Sequence, residues 1–159
     1  MKSAERPTTA AFGFHDRIQI GVTAFGRGVF ASCDYQPGDV VVNFEAKFVS
    51  EATRYTIQID AKCHLNTEGN PGSLLNHSCA PNCAFDPQNL VLIAKKKIKT
   101  GEELTFDYLT TEWEMSSPFE CMCQSPECVG TVRGMKFATL KALEFPTNPL
   151  ECESSSQPD

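Results

Sequence analysis

The sequence predicts one mostly-β domain. Short alternating or β-branched runs recur along the chain, turn signals separate them, and no linker-like stretch divides the middle. Arg17-Ile18-Gln19-Ile20-Gly21-Val22 alternates polar and apolar residues, as a half-buried strand does. Phe25-Gly26-Arg27-Gly28-Val29-Phe30-Ala31 reads as a glycine-bracketed turn running into an apolar strand. Val40-Val41-Val42-Asn43-Phe44 is β-branched and follows the turn signal Gln36-Pro37-Gly38-Asp39. Tyr55 to Asp60 alternates again, and Glu68-Gly69-Asn70-Pro71-Gly72 reads as loop. Leu90 to Ala94 is a continuous apolar strand, and Leu104 to Tyr108 forms another after the turn at Thr100-Gly101. One helix is expected, near Met135 to Leu143, where apolar residues recur at helical spacing. The ends, residues 1–10 and 151–159, have compositions that cannot bury a core and are expected to be disordered.

Length and charge limit the functions open to this chain. Its 159 residues suit a single domain, with 41% hydrophobic and 21% charged residues as in ordinary globular proteins. No run of about 20 apolar residues exists, so no membrane-spanning helix is expected. The polar N-terminus lacks the apolar stretch of a secretory signal, and the expected site of action is inside a cell, nuclear or cytoplasmic. A net charge of −6 argues against direct nucleic-acid binding, which needs a positive surface. It suits a cationic partner such as a lysine-rich peptide, and equally suits simple solubility.

The eight cysteines carry more information. In an intracellular protein, clustered cysteines point to metal or catalysis before disulfides. Cys121, Cys123 and Cys128 form a Cys-x-Cys-x4-Cys segment, and Cys79 and Cys83 lie within Asn76-His77-Ser78-Cys79-Ala80-Pro81-Asn82-Cys83. Cys33, Cys63 and Cys152 stand singly and read as small hydrophobes or idle thiols. Three thiolates do not complete a tetrahedral zinc site, so that segment needs a fourth ligand from elsewhere.

Four motifs occur in a telling order: Gly-Arg-Gly-Val-Phe-Ala from Gly26, Asn-His-Ser-Cys-Ala-Pro-Asn-Cys from Asn76, Glu-Glu-Leu-Thr-Phe-Asp-Tyr from Glu102, and the Cys-x-Cys-x4-Cys segment. Together they resemble the SET-domain lysine methyltransferases that carry a post-SET zinc segment. The resemblance runs from about Arg17 to Gly130, and its last three motifs are specific in combination. It implies a SET fold, small curved β-sheets around a knot-like threading of the Asn-His-Ser-Cys segment. It also implies a division into a SET domain at 11–116, a zinc segment at 117–133 and a short helical extension at 134–150.

The resemblance further implies a role for each matching residue. Phe25, Gly26, Arg27 and Gly28 fall where the family holds the methionine and carboxylate end of S-adenosylmethionine, and an arginine fork suits a carboxylate. Asn76 and His77 fall where it hydrogen-bonds the cofactor, His77 through its backbone to the adenine. Tyr55 matches a tyrosine that helps close the cofactor and transfer region. Tyr108 matches the tyrosine of the transfer site, and Phe106 a position that governs how many methyl groups are added. Phenylalanine there implies di- or trimethylation of a lysine. Cys79 matches the family's fourth zinc ligand, completing Cys121, Cys123 and Cys128.

The implied chemistry is an in-line methyl transfer from a sulfonium to an amine, which attacks only when neutral although a lysine's reference pKa is about 10.4. An apolar channel and the nearby sulfonium both favour the neutral amine. Two departures bear on the acceptor. Ser73-Leu74-Leu75 replaces the arginine and aromatic usual before the Asn-His-Ser-Cys motif. Only nine residues separate Glu45 from Tyr55, where histone-modifying members carry a long insert that walls the peptide groove. Either a partner or second copy completes the groove, or the acceptor is not a histone-like peptide. Three readings follow: a protein-lysine methyltransferase, a methyltransferase for a small amine or carboxylate, and a non-catalytic SET-like binding module.

Overall fold

Residues 14–137 are described by the computed structural model. Twelve short strands and a few single turns of 3-10 helix make up this region. β1 (Ile18–Thr23) and β2 (Gly26–Ala31) form an antiparallel hairpin. Gly26, at φ 115°, makes the tight turn that the glycine-bracketed motif predicts. β3 (Val40–Asn43), β8 (Cys83–Asp86) and β9 (Val91–Ala94) form one three-stranded sheet with β9 central. β4 (Phe48–Val49), β5 (Thr56–Asp60) and β6 (Cys63–Asn66) form another with β6 central.

β7 (Asn76–His77) pairs in parallel with β10 (Thr105–Phe106), Asn76 opposite Thr105 and His77 opposite Phe106. Asn82 locks the crossing. Its Nδ2 donates to the Glu103 carbonyl at 2.8 Å, and its Oδ1 accepts from the Thr105 amide at 3.0 Å. A half-buried side-chain amide satisfies two backbone groups here that a strand this short leaves unpaired. β11 (Phe119–Glu120) and β12 (Thr131–Val132) close the last hairpin.

The sheets share one core. Val29, Ala31, Val41, Leu65, Leu92, Ile98 and Leu104 are all at most 1% exposed. Tyr35 is fully buried, with its hydroxyl donating to the Arg17 carbonyl at 2.8 Å and the Arg17 guanidinium 4.5 Å from its ring.

The predicted strands at 17–22, 25–31, 40–44, 55–60 and 90–94 are all present, shifted by a residue or two. The strand expected over Leu104 to Tyr108 is shorter. Asp107 caps a 3-10 turn over Tyr108–Thr110 by accepting the Leu109 amide at 2.9 Å, so Tyr108 leaves the strand. Of the helix expected near Met135 to Leu143, only a 3-10 turn at Met135–Phe137 falls within the described residues. The predicted disordered ends, 1–10 and 151–159, lie outside them. Cys63 is buried at 2% exposure and is disulfide-bonded, not a free thiol. No described helix is long and apolar enough to cross a membrane.

Candidate active site

One open cleft of about 940 Å³ gathers most of the candidate residues. Phe25, Gly26 and Arg27 line it from the β1–β2 hairpin, Tyr55 from the start of β5, and Asn76 and His77 from β7. Phe106, Tyr108, Cys121 and Cys123 line it from the C-terminal half. Gly28, Cys79 and Cys128 are not part of this lining. Gly28 is needed for space: a Cβ would stand 2.7 Å from Glu103 Oε1 and 3.0 Å from Asn76 Nδ2. That close approach lets Asn76 Nδ2 bridge the Arg27 carbonyl, at 3.1 Å, and the Glu103 carboxylate, at 2.8 Å. The hairpin, β7 and the start of β10 are thereby fastened at one point.

Tyr108 stands at the centre of an aromatic wall, its ring 4.9 Å from Phe106, 5.2 Å from His77 and 5.9 Å from Phe119. Its hydroxyl donates to the Leu75 carbonyl. Burial raises its pKa above the ordinary tyrosine value, and the carboxylates of Glu112 and Glu103 raise it further. Tyr108 is therefore a neutral phenol whose proton is donated to the Leu75 carbonyl, in a residue that lines the cleft. Tyr55 is half-buried, with the Arg54 guanidinium 5.4 Å from its ring and its carbonyl accepting from Thr67.

The His77 side chain is fully buried. Its Nδ1 accepts the Tyr108 amide at 3.0 Å, so the ring proton sits on Nε2, which faces Cys79 Sγ at 3.3 Å. Burial lowers its pKa, while Asp107, 3.6 Å away, raises it; the first effect prevails and the ring is neutral. One imidazole thus links Tyr108 to the cysteine cluster.

Cys79, Cys121, Cys123 and Cys128 bring their sulfurs within 4.8 Å of one another, and Cys79 and Cys121 stand 3.8 Å apart. Zinc–sulfur bonds of about 2.3 Å in a tetrahedron give sulfur separations of about 3.8 Å. The donor set fits zinc. The β11–β12 hairpin makes the convergence local, since all three C-terminal cysteines lie in its connection, and Gln124 turns the chain there at φ 58°. Backbone amides of Ser125 and Cys79 pull the Cys123 thiol down to about 6, whereas burial pushes Cys121 up to about 12. Thiolates crowded this way require a cation to be ionised together. Cys83 is not part of the cluster: it is 1% exposed in β8, and burial pushes its thiol up to about 12.

Residues 26–109, more than half of the chain, match the SET domain family. The chain belongs to that family. A histone-lysine N-methyltransferase of Gibberella zeae, named as H3 lysine-36 specific, is 32% identical over 149 residues. That match covers 79% of this chain and 16% of the relative. The histone-lysine N-methyltransferase ash1 of Drosophila melanogaster is 31% identical over 111 residues, 61% of this chain and 5% of the relative. Methyltransferase flvH of Aspergillus flavus is 43% identical over a shorter span of 61 residues, 37% of this chain and 34% of the relative. The SET chain described here thus spans a small part of these relatives' lengths.

Three residues of the SET cleft were not singled out from the sequence. Glu103 was visible only as part of the Glu-Glu-Leu-Thr motif, and its contact with Asn76 needs the β7–β10 crossing. Phe119 joins the aromatic wall from β11. Glu112 lines the cleft beside Tyr108, and nothing in its local sequence signals burial. Between Glu45 and Tyr55 the chain forms only β4, flanked by exposed residues.

Proposed function

We propose that this chain is an S-adenosylmethionine-dependent methyltransferase whose acceptor is a lysine side chain of a protein. The observation that carries the reading is the convergence of Tyr108, Phe106, Asn76 and Arg27 on one cleft, with the four-cysteine cluster closing its edge. S-adenosylmethionine supplies an electrophilic methyl group on a sulfonium. Arg27, exposed on the hairpin, is a partner for the donor's carboxylate, and Asn76 is held by Glu103 to present its remaining groups. The aromatic faces of Tyr108 and Phe106 favour a cation beside them and exclude water. Tyr108, a neutral phenol anchored to Leu75, orients the amine through its hydroxyl oxygen and does not serve as a base.

Zinc held by Cys79, Cys121, Cys123 and Cys128 would fix the 117–133 segment against β7. Relatives named as histone-lysine N-methyltransferases support a protein substrate and, with it, action in the nucleus. One observation favours a second acceptor class. The groove wall amounts to β4 alone, which leaves the cleft more open than a peptide-binding groove requires and suits a small amine.

The test is incubation with methyl-labelled S-adenosylmethionine and a cell extract, followed by separation of protein from small molecules. Label in protein that is recovered as methyl-lysine supports the first reading. Label confined to small molecules supports the second, and no transferred label under either fraction rejects both.

A further inference from the structure

Glu112 is a carboxylate in an expensive position. It is 9% exposed, lines the cleft, and follows Tyr108 by one turn, its amide donating to the Tyr108 carbonyl at 2.8 Å. That i to i+4 bond sets Glu112 on the same wall as Tyr108. Thr56, Ile57 and Thr111 line the same cleft.

A structural role explains only half of this residue. Glu112 Oε2 accepts the Gln58 amide at 2.9 Å, on the edge of β5 that β6 does not pair. Gln58 Oε1 in turn accepts the Trp113 amide at 2.8 Å, so the pair pins the turn after Tyr108 to β5. A neutral glutamine would satisfy the same amide. The charge is left without an explanation, and burial acts against it: Glu112 is raised above the ordinary glutamate pKa by desolvation, despite the Gln58 and Thr111 hydrogen bonds that lower it. Among the described residues, no lysine, arginine or histidine forms an ion pair with it.

We propose that Glu112 is the acceptor-binding carboxylate of this cleft, pairing with the cationic amine of the incoming substrate. This rests on the methyltransferase reading and narrows it. A buried anion attracts an ammonium and repels a carboxylate, so acids are excluded as acceptors and amines are selected, on a protein or free. Glu112 binds the acceptor on entry, before the amine loses its proton. Two other carboxylates line the cleft, but Glu103 already accepts from Asn76 at 2.8 Å and Glu120 is exposed and accepts from Thr131 at 2.6 Å, which leaves Glu112 as the buried one.

Binding is tested without turnover, by saturation-transfer NMR with n-butylammonium, the length of a lysine side chain, and with butyrate, at constant ionic strength set by sodium chloride. The wild-type protein is expected to bind butylammonium and not butyrate. Glu112→Gln keeps an acceptor for the Gln58 amide and removes the charge; it should weaken butylammonium binding about tenfold or more while remaining folded by circular dichroism. Equal binding to both proteins, equal binding of butyrate, or no butylammonium binding by the wild type overturns the proposal. So does a Glu112→Gln protein that binds butylammonium normally but loses S-adenosylmethionine, because the charge would then serve the sulfonium. Intact, Glu112-dependent butylammonium binding in a protein that transfers no methyl group would reject the proposed reaction and leave this subsite standing.

Discussion

Tyr108 combines two properties that are hard to reconcile with a purely structural tyrosine. Its ring packs among His77, Phe106 and Phe119 and its hydroxyl is tied to the Leu75 carbonyl, yet the residue lines an open cleft. Tyr108→Phe keeps the ring contacts and removes only that oxygen. Methyl transfer is expected to fall roughly a hundred- to thousand-fold with little change in S-adenosylmethionine affinity, as for a group acting chiefly in the transition state. Equal losses in rate and in donor binding, measured by single turnover and calorimetry, would make Tyr108 structural. Phe106, 4.9 Å away and also lining the cleft, offers a different test. A hydroxyl added there occupies space that a methylated nitrogen needs in order to rotate into line. Phe106→Tyr should shift the products of a lysine acceptor towards monomethyl-lysine while sparing the first transfer. Mass spectrometry reads the ratio, and an unchanged ratio in a merely destabilised protein would reduce Phe106 to core.

At the scale of elements, the β11–β12 hairpin and β7 act as one unit through the cysteine cluster and His77. The imidazole takes the Tyr108 amide on Nδ1 and offers its proton to Cys79 on Nε2, so it both orients a ligand sulfur and holds the first residue of the turn after β10. We expect one zinc per chain by metal analysis, and its loss on Cys128→Ser; retention of zinc by that variant would remove Cys128 from the ligand set. His77→Leu keeps all four thiols but removes the hydrogen bond to Cys79. Its zinc affinity, measured by chelator competition, should drop about 10- to 100-fold, whereas a ring that serves only packing would leave it unchanged. These elements also mark the limit of what the sequence discloses. The long strands were legible because alternation and β-branching act locally, as at 18–23 and 40–43. Two-residue strands such as β7, β10 and β11 carry no periodicity; they exist because Asn82, His77 and the cysteine cluster hold them in place. The motifs single out Tyr108, His77 and Cys79, which the fold brings together. They did not disclose that the His77 ring lies between the Tyr108 amide and the Cys79 sulfur, because that depends on the crossing of two segments far apart in sequence.

For the molecule as a whole, the consequence of Glu112 is a conflict between stability and binding. Its folded-state pKa is raised by burial, so the folded protein holds that proton more tightly than the unfolded chain does. The stability this confers is fully present below the ordinary glutamate pKa and is lost as pH rises through the raised folded value. Wherever Glu112 is ionised, the folded protein carries a buried charge with no cationic side chain paired to it among the described residues. Glu112→Gln removes that dependence while keeping an acceptor for the Gln58 amide. Its melting temperature should exceed that of the wild type at neutral pH, and the gap should shrink as pH falls into the carboxylate range. A residue retained only to pin the turn to β5 predicts a gap of constant size, or a variant less stable at every pH. Calorimetric melts of both proteins across that range separate the two. Adding n-butylammonium at neutral pH supplies the complementary measurement: the wild type should gain stability from the cation and Glu112→Gln should not, because only the wild type has a buried charge for the ligand to neutralise.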